Sequence, residues 1–184
     1  MNRKKTRLQY QRKREGKTNY KKRLILLQSK KTRLIIRKTN KHILAQFVDY
    51  KPDGDIVIVG VSSKALEKLG WNYSTKNIPA AYLTGLLLGK KAQEKKIKEA
   101  ILDLGLQTSI KGSKLYATLK GVKEAGISIN ASEEIMPNED RLKGKHINDY
   151  YSKNPDHFSK YKKNKVDPKN ISKDLEQIKI KILK

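Results

Sequence analysis

The sequence predicts an α/β fold: a mixed sheet, made of an antiparallel three-strand meander plus a fourth strand, with packed helices, a basic N-terminal arm and a helical C-terminal extension. Apolar and polar residues alternate from Thr32 to about Val61, and the apolar spacing then becomes helical. Only 36% of the 184 residues are hydrophobic, below the roughly 45–50% of an ordinary globular chain, so a core cannot occupy the whole length. The formal charge of +25 is concentrated at the ends. Residues 1–41 hold 17 basic residues and one acid, residues 42–140 hold 13 and 12, and residues 141–184 hold 13 and 5. This divides the chain into a basic arm (1–28), an α/β core (29–130) and an extension with short helices (131–184).

The elements follow in order. Thr32 to Lys38 is a strand with Leu34 and Ile36 on one face. Thr39-Asn40-Lys41 is a turn, because Asn tolerates the left-handed conformation of tight turns. His42 to Tyr50 is a second strand whose Ile43, Ala45 and Phe47 share a face. Lys51 to Asp55 (KPDGD) is a turn by composition. Ile56 to Val61 (IVIVGV) reads as a third, more fully buried strand.

Ser62 or Ser63 can cap a short helix that reaches Leu69 and closes at Gly70. Asn77 caps a longer helix, entered through Ile78-Pro79 and running to about Lys95. It is apolar nearly all round through Gly89 and is therefore buried, with Gly85 and Gly89 leaving room for close approach to the sheet. Ala100 to Leu104 is the fourth strand. Ser113 caps a further helix carrying Leu115, Leu119 and Val122 and ending at Gly126. Beyond Pro137 the chain is polar, in short helical pieces. Asp167-Pro168 opens a last helix in which Ile171, Leu175, Ile178 and Ile182 form a stripe that needs something to lie against.

So large a positive charge opposes compaction and implies a polyanionic partner, nucleic acid before an anionic membrane. With no cysteine, disulfides, thiolate metal sites and cysteine nucleophiles are excluded. The first residues, MNRKKTRLQYQRKR, lack the apolar stretch of a secretory signal. The longest near-apolar run, Ile78 to Gly89, is too short to span a bilayer. The expectation is a soluble cytoplasmic protein.

The strongest functional signal is the arm: Arg3, Lys4, Lys5, Arg7, Tyr10, Arg12, Lys13, Arg14, Lys17, Thr18, Tyr20, Lys21, Lys22 and Arg23. The planar fork of Arg donates two parallel hydrogen bonds to phosphate, and Tyr can stack on an unpaired base. Two polar, basic loops, Trp71 to Asn77 (WNYSTKN) and Lys111 to Lys114 (KGSK), lead into helix N-termini, where free backbone N–H groups favour phosphate. Ordinary capping by Asn77 and Ser113 explains the same residues equally well.

The other motifs read as structure. Gly85 to Lys91 (GLLLGKK) has three residues between its glycines and no Ser or Thr after the first lysine, so it is helix packing rather than a phosphate-binding loop. Glu133, Glu134, Glu139 and Asp140 lack the glycine and ligand alternation of a calcium loop. His42, His146 and His157 form no metal motif, and no GxSxG elbow exists, so neither a metal, a cofactor nor a catalytic set is expected. A nucleic-acid-processing enzyme with basic arms is the alternative, and would need Asp49, Asp53, Asp55 and Asp103 as its carboxylates. A peripheral membrane protein would use the C-terminal stripe, but that stripe has no aromatic residue.

Five stretches in unbroken order resemble one family: RKREGKTNYKKRL, RLIIRKTNKHILAQFVDY, NYSTKNIPAAYLTGLLLGKKA, EAILDLGLQTSIKGSKLYATLKGVKEAG and SEEIMPNEDRLKGKHI. They are similar to the large-subunit ribosomal protein L-eighteen, in its archaeal form, over roughly residues 8–150. The resemblance implies a structural, non-enzymatic protein that binds 5S rRNA and anchors it to the 23S rRNA in the central protuberance, among neighbouring large-subunit ribosomal proteins and away from any membrane. It implies rRNA contacts around Arg12 to Arg23. It places Arg37, Lys38, Asn40 and His42 against 5S RNA, joined by Arg33 of the same strand. Thr75, Lys76 and Asn77, and Gly112, Ser113 and Lys114, match loops expected near RNA, beside Trp71 and Lys111.

Overall fold

The computed structural model describes residues 8–163 and 166–183. Its frame is a five-stranded sheet built from β1 (Arg33–Lys38), β2 (Ile43–Asp49), β3 (Ile56–Ser62), β4 (Glu99–Asp103) and β5 (Ser128–Ile129), in the order β3-β2-β1-β4-β5. β1, β2 and β3 pair antiparallel as the meander requires, whereas β4 lies parallel to β1 and β5 parallel to β4. The two-residue β5 is too short to carry a periodic signal, and the sequence reading missed it.

One face of the sheet is dry. Leu34, Ile36, Ile43, Ala45 and Phe47 are buried on it. Helices α3 (Ile78–Glu94) and α4 (Lys114–Glu124) complete this core and pack extensively on each other. Asn77 caps α3, its side chain accepting from the Ala80 N–H at 2.8 Å. Gly85 does not serve approach to the sheet, as its sequence context suggested; it serves α4. A Cβ on Gly85 would strike the Thr118 carbonyl, and one on Gly121 the Tyr82 carbonyl, so glycine on both helices sets their separation.

Three expectations need correction. β3 is an edge strand, not a buried one: Ile56 and Val57 are exposed, because nothing pairs beyond it. Asn40 does not take the left-handed conformation; the turn is closed by Thr39, whose hydroxyl bonds both the His42 N–H and the His42 carbonyl at 2.9 Å. Ser113 has the extended backbone of a cap, but its side chain makes no capping bond. The short helix expected up to Leu69 is present as the 3-10 helix Ser63–Leu69, capped by Ser62 and closed by Gly70.

The arm also contains structure that composition hid. A turn, α1 (Gln11–Arg14), precedes helix α2 (Tyr20–Gln28), whose cap Asn19 accepts from the Lys22 N–H at 3.1 Å. At the other end, α5 (Glu139–Leu142), α6 (Lys145–Lys153) and α7 (Ser159–Lys163) lead to α8 (Ile171–Leu183). The α8 stripe finds its partner within the chain: Ile171, Leu175, Ile178 and Ile182 are buried in the same core cluster, against α3. Lys179 Nζ donates to the Tyr82 hydroxyl at 2.7 Å, and that hydroxyl donates to Glu124, tying α8, α3 and α4 together. Burial and Glu124 push the Tyr82 phenol up to about 12.

Candidate nucleic-acid interface

Alternation in β1 sends Leu34 and Ile36 into the dry core, so Arg33, Ile35 and Arg37 must point to the opposite face. Helix α2 lies across that face. Between them sits a charge network. Arg23 of α2 donates both guanidinium arms to Asp55, at 2.8 and 2.9 Å. Arg33 bridges Asp55 at 2.7 Å and Asp103 at 3.1 Å. Arg37 donates to the Asp103 carboxylate at 3.0 Å and to its carbonyl at 2.6 Å. Three guanidiniums against two carboxylates leave the network with one net positive charge. Burial pushes the Asp55 carboxyl up, but the hydrogen bonds from Arg23 and Arg33 outweigh it and hold it below the usual range.

This network lines a cleft of about 510 Å³, whose rim carries Arg12, Lys17 and Lys22. The Arg12 guanidinium donates to the Thr18 hydroxyl at 2.9 Å, folding the arm back toward the cleft. Gly105 has a positive φ, and a side chain there would strike the Arg37 guanidinium, so glycine keeps this wall open. Outside the cleft the arm presents Lys13, Arg14 and Lys21, all exposed, and Tyr10 packs on Tyr20 with ring centroids 4.9 Å apart.

A second basic patch begins one residue further along β1. The β1–β2 hairpin tip leans on the loop before α3: the Thr75 hydroxyl donates to the Lys41 carbonyl at 3.0 Å. Its single proton used, Thr75 accepts from His42 Nδ1 at 3.1 Å, which fixes the imidazole tautomer. This junction brings together side chains from the end of β1, the loop before α3 and the start of α4. Burial, with the ammonium groups of Lys76 and Lys38 nearby, holds the Lys114 amine below the usual lysine range. Among the described residues none of these three lysines forms a salt bridge. Lys76 directly precedes the cap of α3 and Lys114 opens α4, so the lysines flank the positive ends of two helices.

The structure thus brings together Arg12, Lys17, Thr18, Arg23 and Arg37 at the cleft, and Lys38, Asn40, His42, Lys76 and Lys114 around the hairpin, with exposed Lys111 and neighbouring Gly112 on the loop into α4. Others it turns inward. Arg33 and Trp71 are each 1% exposed, so neither presents its side chain at the surface: Arg33 is held by Asp55 and Asp103, and Trp71 packs in the core and donates to the Ser74 carbonyl. Thr75 is buried at the junction, Asn77 is a cap, and the Ser113 hydroxyl is enclosed. Arg3, Lys4, Lys5 and Arg7 lie outside the described residues. Lys41, at the exposed hairpin tip, was absent from the sequence-based set; its position between Asn40 and His42 was the available signal.

The arrangement defines a class: an α/β module with one dry sheet face and two basic patches suited to phosphate. A family model described as ribosomal large subunit proteins 60S L5, and 50S L18, matches residues 4–98. The chain is 48% identical to the large ribosomal subunit protein uL18 of Korarchaeum cryptofilum (strain OPF8) over 177 residues, spanning 93% of this chain and 91% of the relative. It is 44% identical to the large ribosomal subunit protein uL18 of Caldivirga maquilingensis over 185 residues, spanning 96% and 89%. The chain belongs to this family of large-subunit ribosomal proteins. It is a structural, rRNA-binding constituent of the ribosome and not an enzyme.

Three of the four carboxylates an enzyme would have needed have other work, and Asp53 stands in the exposed turn before β3. Asp55 and Asp103 are bound by arginines, and Asp49 accepts from the Thr32 hydroxyl at 2.7 Å. Among the described residues no helix is long and apolar enough to cross a membrane, and the apolar stripe of α8 faces α3.

Proposed function

We propose that the basic surface binds 5S rRNA and anchors it to the 23S rRNA in the central protuberance, beside neighbouring large-subunit proteins. The observation that carries this reading is the convergence of Lys38, Lys76 and Lys114 at the N-termini of α3 and α4. Like charges gathered at one place raise each other's energy, and a polyphosphate backbone relieves that cost. The arm and its cleft supply a second basic surface on the other face of the sheet, with Arg37 and Lys38, adjacent on β1, belonging one to each. Two adjoining surfaces on one rigid sheet suit a protein that holds two RNA elements in fixed relation. The exposed acids Glu133, Glu134, Glu139 and Asp140 lie on the extension and suit a basic neighbouring protein.

The test is filter binding of the full chain to 5S rRNA, to a 23S fragment from the central protuberance and to an unrelated RNA of equal length. The expected result is tighter binding to 5S rRNA, with both cognate RNAs held in one complex. Equal affinity for all three at physiological salt would contradict the assignment.

A further inference from the structure

We propose that the cleft between α2 and the outer face of the sheet holds one unstacked nucleotide of the bound rRNA, its base against apolar walls and its phosphate on the basic rim. This rests on the 5S rRNA reading above and adds a discrete subsite to it. The cleft volume of about 510 Å³ lies within the range of small-ligand sites, roughly 300–1,000 Å³, and is far too small for a duplex.

The lining matches the two halves of a nucleotide. Ile35 from β1 and Leu102 from β4 are apolar lining residues on an otherwise charged sheet face. At the mouth stand Ile25 of α2, 59% exposed, and Leu106 from the loop after β4, 52% exposed. Large aliphatic side chains left in water at the mouth of a basic cleft are unexplained by the fold itself. A flat base between them would cover both. The charge balance supplies the other half: six basic side chains line the cleft against Asp55 and Asp103. Arg33, 1% exposed, is shared between Asp55 and Asp103, and with Arg23 and Arg37 on the same two carboxylates the floor keeps one net positive charge.

The polar side chains also say what the cleft does not read. Thr18 is bonded to Arg12, Asn19 accepts from the Lys22 N–H, Gln107 is bonded to both backbone groups of Lys38, and Ser109 to Tyr116. Side chains already paired cannot select among base edges without breaking those bonds. The subsite therefore accepts a base for its flatness and its phosphate, and tolerates changes of base identity.

The test uses the full chain, 5S rRNA, and three substitutions at the exposed mouth: Leu106→Trp and Ile25→Trp, which fill the cleft, and Leu106→Ala, which removes one wall. Chemical probing of base reactivity, filter binding and thermal melting are read together. For the unsubstituted protein, one unpaired nucleotide should change reactivity on binding. In each variant that nucleotide alone should return to its free reactivity, with affinity about tenfold weaker, as for loss of one stacked base, and the salt slope unchanged. Replacing that nucleotide by any other base should alter affinity less than the protein substitutions do. Variants that melt normally and keep the full footprint and affinity would overturn the subsite while leaving 5S binding intact. A full footprint together with loss of the variants from reconstituted large subunits would assign the cleft to a neighbouring protein, again overturning it. Failure of the unsubstituted protein to bind 5S rRNA would instead remove the functional reading itself.

Discussion

The two faces of one sheet have opposite chemistry. Leu34 and Ile36 of β1 sit at 0% exposure under α3 and α4, while their neighbours Arg33 and Arg37 project into a charge network beneath α2. The inner face excludes water beneath α3 and α4, whose own separation is fixed by backbone-to-backbone approach at Gly85 and Gly121. The outer face keeps a half-open cleft, excess positive charge and exposed Ile25 and Leu106. A strand's period of two lets six residues serve both purposes. The tight packing is concentrated on one side, and the outer face, where we propose one of the RNA contacts, can stay underpacked.

The comparison breaks most visibly if the inner side tolerates polar or oversized residues. Leu175→Asp places an unpaired carboxylate between α8 and α3 and should cost about 4 kcal/mol. That corresponds to roughly 10 °C of melting temperature for a chain of this size, measured by circular dichroism. Gly121→Val forces α3 and α4 apart and should cost about 3 kcal/mol in urea unfolding. Normal melting of both variants would show that the dry side is not where stability resides.

The outer face has one structural component, Arg33. Arg33→Met leaves Asp55 and Asp103 with one guanidinium each and should cost up to about 3 kcal/mol. Asp55 has a lowered native pKa, so its contribution is complete above the ordinary carboxylate value of 3.8 and disappears as pH falls through the native value. The difference in stability between the unsubstituted protein and Asp55→Asn should therefore be present at neutral pH and vanish in acid. A difference that persists in acid would mean the carboxylate's charge is not what matters.

Smaller effects belong to binding alone. Replacing Lys38, Lys76 and Lys114 together by Gln should leave melting unchanged. It should weaken 5S rRNA binding about 10- to 100-fold and reduce the salt slope by about 2 to 3. Smallest is the pH effect of Lys114. Its amine is held below the usual lysine range in the free protein, and a phosphate would raise it. Binding should take up a proton and weaken as pH rises, and Lys114→Arg should flatten that dependence. An identical pH profile for Lys114→Arg would remove Lys114 from the contact.

Most of the inner face was legible in the sequence because apolar periodicity reports burial directly. The three meander strands, the buried α3 and the α8 stripe all follow from it, and the Asn77 cap follows from Asn standing directly before Ile78-Pro79. The outer face was not legible in the same way. Arg33 reads as one more RNA-facing cation, and only the tertiary pairing of β1 with β4 and the turn before β3 shows that Asp103 and Asp55 enclose it. Helix α2 was hidden because its residues, YKKRLILLQ, mix charge and aliphatics without a clean stripe. The meeting of Lys38, Lys76 and Lys114 is likewise tertiary, since nothing in local spacing links the end of β1, the loop before α3 and the start of α4. The charge asymmetry named the partner class, but not which cations remain free to meet it.

The division between the two sides is tested most directly by deleting residues 1–18. The deletion removes eight basic residues and one acid but leaves α2, the sheet and the core in place. Thermal melting in low salt and filter binding to 5S rRNA across a salt series should be measured on the same preparation. The account predicts an unchanged melting temperature, affinity lower by roughly two orders of magnitude or more, and a shallower salt slope. An unfolded truncation whose residual folded fraction binds 5S rRNA as tightly as the full chain would contradict it.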